Sequence, residues 1–594
     1  MLSSAIGVVG GLGGIAFQVT EQSVFRVCLQ GVAGFSPKEA AGERRLFAEP
    51  EREFNPWLLL AVMTSGGLIS GWLVQRFAPE AEGHGTDAAI EAFHHKRGHI
   101  RPVVPIIKLI ASAVTIGTGG SAGREGPIAQ IGAGFGSLVG AWFGLSARDR
   151  RILLAAGMAA GIGAIFRAPL AAALFAAEIM YREADIETDV IVPAAISSIV
   201  GYTVFAFWLP PDIRFQPLFG DSLRHQLYSL VELGPLSLMA VALVAMGVIY
   251  IKCYYGLHRW FKRCWIPRIF RPVLGAALAG AAGLSLYFMF GRDARVLAVL
   301  SAGYGTLQEA LSDPRKAGGS LLLVVALGKI ATTSLTIGSG GSGGVFGPSM
   351  VIGGCTGGAI GTLFHRWWPS LCPNPAIYTV VGMAGFFAGC ARAPISTIVM
   401  VTELTGDYSL LVPAMWVSTL CFILGNRWTL YEKQLPSRLD SPAHRGDFLV
   451  DVLEGIAVGD VAWKQVNTVH QSETLPDIVH GMAQHRQHYF PVVDDSRRMI
   501  GIFSADDVRP YLFDQSLWKL VVASDLMTSR VVAVTPVDDL NTALRRFTEL
   551  NLDELPVVAE NDPKNLLGML RRKDVIARYN QSLFDHKKSL QDES

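Results

Sequence analysis

Charge is scarce in this chain. Asp, Glu, Lys and Arg make up 17% of its 594 residues, where a soluble globular domain carries about 25%. The two signs nearly cancel, 51 basic against 50 acidic for a net charge of +1, which excludes the one-sided basic surface of a nucleic-acid-binding protein. Cysteine is sparse as well. Cys28, Cys253, Cys264, Cys355, Cys372, Cys390 and Cys421 are scattered through apolar sequence without a CxxC pair. Neither a disulfide framework nor a zinc site is expected, and the thiols read as buried. The apolar segments are poor in acids, which argues against an oxygen cage for a divalent cation. No metal, no required cofactor and no enzymatic activity are expected. No cleavable signal peptide is evident and no basic leader precedes the first apolar segment, which reads as a truncated start.

What the chain has in quantity is apolar sequence. Half of its residues are of the AVILMFWYC set and the mean hydropathy is +0.35. Its length exceeds one ordinary core, since domains cluster near roughly 100–200 residues. A bilayer-spanning helix takes about 20 apolar residues. Ala5–Phe35, Trp57–Phe77, Val190–Trp208, Pro235–Tyr255 and Val273–Phe290 satisfy this. Val103–Ile116, Ile128–Phe143, Ile152–Ile165, Leu321–Ile337, Met350–Phe364, Val380–Phe387 and Ile395–Leu404 read as shorter stretches broken by glycine. Such interrupted segments in corresponding halves point to a transporter binding site; they also suit plain close packing of helices.

An internal repeat supplies those halves. Thr115-Ile-Gly-Thr-Gly-Gly-Ser-Ala-Gly123 recurs as Thr336-Ile-Gly-Ser-Gly-Gly-Ser-Gly-Gly344, and Lys108 maps onto Lys329. Arg124-Glu-Gly-Pro127 falls opposite Val345-Phe-Gly-Pro348. Gly157-Met-Ala recurs as Gly382-Met-Ala, Arg167-Ala-Pro169 as Arg392-Ala-Pro394, and Glu178 maps onto Glu403. The halves run over about 1–208 and 234–436. An odd number of spans in each would invert one against the other and hold the substrate where they meet; the repeat leaves that parity open.

Beyond about Tyr431 the composition turns polar. Residues 437–450 read as a linker. A second repeat follows with an offset of 65: Gly459-Asp-Val461 against Ser524-Asp-Leu526, and Pro491-Val-Val493 against Pro556-Val-Val558. Each copy ends in strand-like residues, a glycine and an acidic helix start. These are two small α/β units, 451–515 and 516–585, followed by a tail at 586–594.

Chemistry concentrates in the glycine runs. A helix that opens after glycines leaves backbone N–H groups unpaired, and with the dipole's positive end they make an anion site. Gly119–Pro127 and Gly340–Pro348 both have this form, each with a proline suited to a first helical turn. Neither continues as Gly-Lys-Ser/Thr, so a phosphate-binding loop is rejected. Glu125 stands at one of these starts. An ionisable group at membrane depth is functional by default; its carboxylate can occupy the anion's place and leave on protonation. The alternative is a structural pair with Arg124.

Gly123-Arg-Glu-Gly-Pro127 and Gly344-Val-Phe-Gly-Pro348 resemble two signature motifs of the CLC family of chloride channels and proton–chloride antiporters. Gly83-His-Gly-Thr-Asp87 falls where that family has a third. The resemblance covers about residues 5–436, and 451–585 resemble the CBS pair many members carry. It implies a polytopic helical membrane protein of two inverted homologous halves (residues 1–436) with an α/β CBS tandem, working as a homodimer with one pore per subunit. It implies chloride, other small anions and protons as partners, with Glu125 as gate. The anion ligands would be Val345 and Phe346 through their amides, Tyr431, Gly123, Arg124 and Gly126, with His84 and Gly85 where the family places a serine. The family's internal proton-relay glutamate falls at Ile179. That departure leans the reading toward a voltage- or pH-gated channel, with an antiporter of non-standard proton path as the alternative and a CBS-bearing divalent-cation transporter as a distant one. Ser504 and Asp507, with Asp574 in the second copy, are at positions where family members hold an adenine nucleotide. Compact loops suggest a bacterial inner membrane, with the CBS pair cytoplasmic.

Overall fold

In the computed structural model, all residues are described except 48–51, 221–229, 445–452, 454, 462–465, 485–486, 513–516 and 593–594. Parts of the expected linker, of the first CBS unit and of the tail therefore lie outside the described residues. The chain divides into two compact units, Met1–Ala443 and His444–Ser594.

The first unit is helical: α1 (Leu2–Phe25), α2 (Pro56–Phe77), α3 (Thr86–His94), α4 (Val103–Gly117), α5 (Glu125–Trp142), α6 (Ala147–Phe166), α7 (Pro169–Glu178) and α8 (Thr188–Trp208) form one half. The other half is α9 (Leu233–Arg263), α10 (Arg271–Met289), α11 (Tyr304–Ser312), the short α12 (Pro314–Ala317), α13 (Gly319–Gly338), α14 (Phe346–Trp367), α15 (Ala376–Ala391), α16 (Pro394–Thr405) and α17 (Leu411–Leu424). Local chemistry sets several of these ends. Asn55 accepts from the amides of Trp57 and Leu58 at 3.0 and 3.2 Å, ahead of a proline that suits the first turn of α2. Arg167 and Arg392 end α6 and α15 in left-handed conformation (φ 55° and 60°), and the Ala-Pro after each starts the next helix.

Six segments are long and apolar enough to span a bilayer, among the described residues. Five fall on the expected ones. The sixth, Gly319–Gly338, corrects the expectation of a short, glycine-broken stretch there: Gly328 sits inside an unbroken helix, where an added Cβ would lie 2.7 Å from Val299. The α5 and α14 segments are likewise continuous helices, of 18 and 22 residues.

The halves are related by a twofold, and contacts at the seam show it. Gly123 and Gly344 exchange backbone hydrogen bonds (2.8 and 2.7 Å) as an antiparallel bridge. Ser112 bonds Ser342 at 2.9 Å and Ser121 bonds Thr333 at 2.8 Å, the same contact made twice under the repeat. Helices within each half approach closely at equivalent glycines. A Cβ on Gly132 would stand 2.1 Å from the Gly157 carbonyl oxygen, and one on Gly353 2.6 Å from that of Gly382. Glycine here lets α5 lie on α6, and α14 on α15.

The second unit holds two α/β modules. In the first, β1 (Val469–His470) pairs parallel to β2 (Tyr489–Val493), which pairs antiparallel to β3 (Met499–Ser504). In the second, β4 (Glu554–Ala559) pairs antiparallel to β5 (Asp562–Arg571), and Val534 bridges Val557 in parallel where β1 would recur. Each has its own core, around Leu475, Phe490 and Phe503 in one and Leu540, Phe547 and Leu555 in the other.

Candidate functional site

The repeat loops aim the starts of α5 and α14 at one another across the Gly123–Gly344 bridge. Glu125 opens α5 and is 3% exposed. One of its carboxylate oxygens accepts from the Tyr304 hydroxyl and the other from the Gly347 amide at 3.2 Å, in the first turn of α14. Glycines make the berth: a Cβ on Gly123 would lie 2.0 Å from Glu125 Oε2, and one on Gly347 2.6 Å from Tyr304 Oη. The carboxylate therefore occupies a helix N-terminus, where unpaired amides and the dipole favour an anion.

Beside it is a small cavity of about 10 Å³, room for one water-sized sphere. Glu125, Gly126, Phe346 and Tyr431 line it, joined by Thr86 and Met400. Phe346 also packs on Phe387 and Phe166, with ring centroids 4.3 and 4.9 Å away. The sequence reading thus placed four residues that the fold brings together, and missed Thr86, Gly347 and Tyr304. Tyr304 stands in the second half as Thr86 does in the first, each opening a nine-residue helix after a glycine of positive φ, Gly303 and Gly85. Buried Lys108 and Lys329 hold the loops before these two helices alike. Lys108 Nζ donates to the carbonyls of Ala81 and Gly83 (3.0 and 2.7 Å), and Lys329 Nζ to that of Ser301 at 2.5 Å.

The other expected ligands have these surroundings. The Gly123 amide is taken by Gly344, so it faces no anion. Val345 is fully buried, and its carbonyl accepts from the Ser349 hydroxyl at 2.7 Å. Arg124 does not pair with Glu125. Its guanidinium bonds Glu43 and lies 3.7 Å from Glu21. The local i,i+1 pairing fails because the helix start directs neighbouring side chains to different sides. His84 is buried against the Tyr431 ring (5.3 Å between centroids), with Nε2 3.3 Å from Asp87 and Nδ1 without a hydrogen-bond partner. Gly85 (φ 85°) and the His84 carbonyl pack on Gly126.

Glu178 has a structural task. It accepts from the amides of Ile395 (2.9 Å) and Ser396 (2.8 Å) at the start of α16. Its repeat partner Glu403 accepts from Leu170 (3.3 Å) and Ala171 (2.8 Å) at the start of α7. Ile179 is fully buried, and its carbonyl accepts from Gln434 at 3.0 Å.

In the CBS modules, Asp507 accepts from both the amide and the hydroxyl of Ser504, each at 2.7 Å, closing a helix cap. Asp574 is held by Arg571 Nε and Nη2 at 2.6 and 2.9 Å. Both carboxylates expected to face ribose are thus engaged within their own turn.

Two inverted helical halves meeting at a carboxylate seated on a helix N-terminus define a polytopic membrane protein with a buried polar crossing point. The chain matches the family described as Voltage gated chloride channel over residues 66–426, and CBS domains over 458–514 and 523–580. It belongs to that family, the CLC channels and transporters, which are not enzymes. It is 31% identical over 370 residues to an H(+)/Cl(-) exchange transporter ClcA from Vibrio campbellii, covering 61% of this chain and 75% of the relative. It is 29% identical over 419 residues to a putative chloride channel protein ClcB-like from Ralstonia nicotianae (70% and 90% covered). The crystal structure of a slow cyanobacterial Cl-/H+ antiporter matches with a TM-score of 0.61 at 23% identity, over 72% of this chain and 93% of that one.

Proposed function

We propose that this protein exchanges chloride for protons across a bacterial inner membrane, as a homodimer with the CBS pair on the cytoplasmic side. The observation that carries the transport reading is the Glu125 carboxylate on the Gly347 amide, beside a cavity of single-ion scale. A neutral, protonated Glu125 loses its hold on that amide and yields the place to an anion. The exchange reading takes its support from the named exchange transporters among its relatives, and it replaces the channel reading that Ile179 suggested.

The proton then needs a path that avoids Ile179. Glu178 is committed to the α16 amides. His84, with a buried unpartnered Nδ1 and Asp87 at 3.3 Å, is the group we assign to it. His84→Ser should keep chloride flux and lower the protons carried per chloride, and should flatten the dependence of flux on cytoplasmic pH. Unchanged stoichiometry together with an unchanged pH response would exclude the ring from both roles.

The test of exchange is the reversal potential in a bilayer under a fixed chloride gradient. It should move when a pH gradient is added; a value fixed at the chloride potential would return the protein to the channels. For the CBS pair we propose one weak adenine-nucleotide site at Ser504 and Asp507, weak because a ribose must displace their mutual bonds. Calorimetry of the full chain with ATP, ADP and AMP should show heat that Asp507→Ala abolishes. No heat with any of the three would leave the pair without this ligand.

A further inference from the structure

On the side of Glu125 away from Tyr431 and His84, Arg124 meets two carboxylates and shares a cavity with a third. Glu43 bonds it directly, Glu21 lies at 3.7 Å, and Glu39 shares the same cavity of about 30 Å³, which Tyr304 also lines. Glu21 comes from α1, Glu39 and Glu43 from the loop after it, and Arg124 and Tyr304 from the starts of α5 and α11. The Arg124 Nε and one oxygen each of Glu21 and Glu39 are buried without a hydrogen bond; Arg124 as a whole is 6% exposed.

Of the other charges near the cluster, Arg45 pairs within it and the rest are engaged elsewhere. Arg45 lies 3.5 Å from Glu39, and Lys38 is bonded to Glu309. Arg44 donates to the Trp208 carbonyl, and Arg167 to that of Gly42. Three ionised carboxylates against two guanidiniums, Arg124 and Arg45, leave one negative charge uncompensated, which a low-dielectric site sheds by taking up a proton. Burial and the neighbouring Glu43 raise Glu39, which lies in the loop, above the ordinary carboxylate range. Tyr304 connects the cluster to the gate, since it lines this cavity and donates to Glu125.

We propose that Glu21, Glu39 and Glu43 form a proton-loading cluster that sets the external pH at which Glu125 is protonated and released. The proposal rests on Glu125 as gate and on the orientation given above, but not on proton coupling. Held negative, the cluster raises the proton affinity of Glu125; while it carries a proton, it supplies one next to Tyr304.

The test is chloride current through the full chain in a planar bilayer, with pH varied on one side at a time. Glu39→Gln and Glu21→Gln should each move the external-pH midpoint of the current toward acid by about 1 unit, the scale of a unit charge about 12 Å away at an effective dielectric near 20. Glu39→Asp should restore it, and the response to cytoplasmic pH should not change. Currents reduced by one factor at every pH with an unmoved midpoint would make the cluster a mere anchor for Arg124 and overturn the proposal. A midpoint that shifts in a protein without coupled proton flux would overturn the exchange reading alone.

Discussion

Glu125→Gln should abolish proton transport and the acid activation of chloride flux while chloride still passes. Glutamine cannot lose or gain a proton at any working pH. It also lacks the charge that holds the carboxylate on the Gly347 amide, since a bond to an ionised acceptor is roughly twice as strong as a neutral one. The contacts of Glu125 are the Tyr304 hydroxyl and that amide, both of which a neutral side chain engages more weakly. The berth at the α14 start then stands open to chloride. In liposomes the wild type should drive protons uphill on a chloride gradient, and the variant should show proton flux at background with chloride efflux preserved. Proton pumping that survives the substitution would remove Glu125 from the gate. A variant that loses both fluxes but keeps its melting temperature would make the carboxylate a requirement of anion passage rather than its competitor.

Glu178→Ala should cost the membrane unit more stability than any other single change named here. The carboxylate satisfies the Ile395 and Ser396 amides and accepts from the Ser396 hydroxyl at 2.5 Å, all in a site only 3% exposed. Leaving two buried N–H groups unpaired costs about 1–3 kcal/mol each, and relief from burying a carboxylate offsets part of that. A net loss of about 2–4 kcal/mol follows, read as a fall in melting temperature in detergent. Glu403→Ala should cost less, because Glu403 is half-buried and water can reach the α7 amides it leaves. Equal losses, or a larger one at Glu403, would mean that the two caps are not the determinants of stability at this seam.

These predictions divide between what the residues announced and what they did not. The glycine loops, the two halves and Glu125 were legible because each is a pattern within a short stretch or a near-constant offset between two stretches. Both loops even place their left-handed glycine alike, Gly119 at φ 99° and Gly340 at φ 103°. The α13 span was misread because its glycine looks like a break in a row of letters. In the fold, a neighbouring residue fills the space a side chain would have taken. Tyr304 was overlooked because no motif marks it, although its place in the repeat is that of Thr86.

By itself the sequence determined the membrane character, the two homologous halves and the CBS pair, and it singled out Glu125, since hydropathy, motif and repetition can be read along the chain. Only the tertiary structure decided the partners of the charges. Arg124 turns to Glu43, 81 positions away, and Glu178 to Ile395, 217 positions away. A buried charge is stable only where donors or counter-charges converge on it, and that convergence comes from how helices distant in sequence are folded against each other.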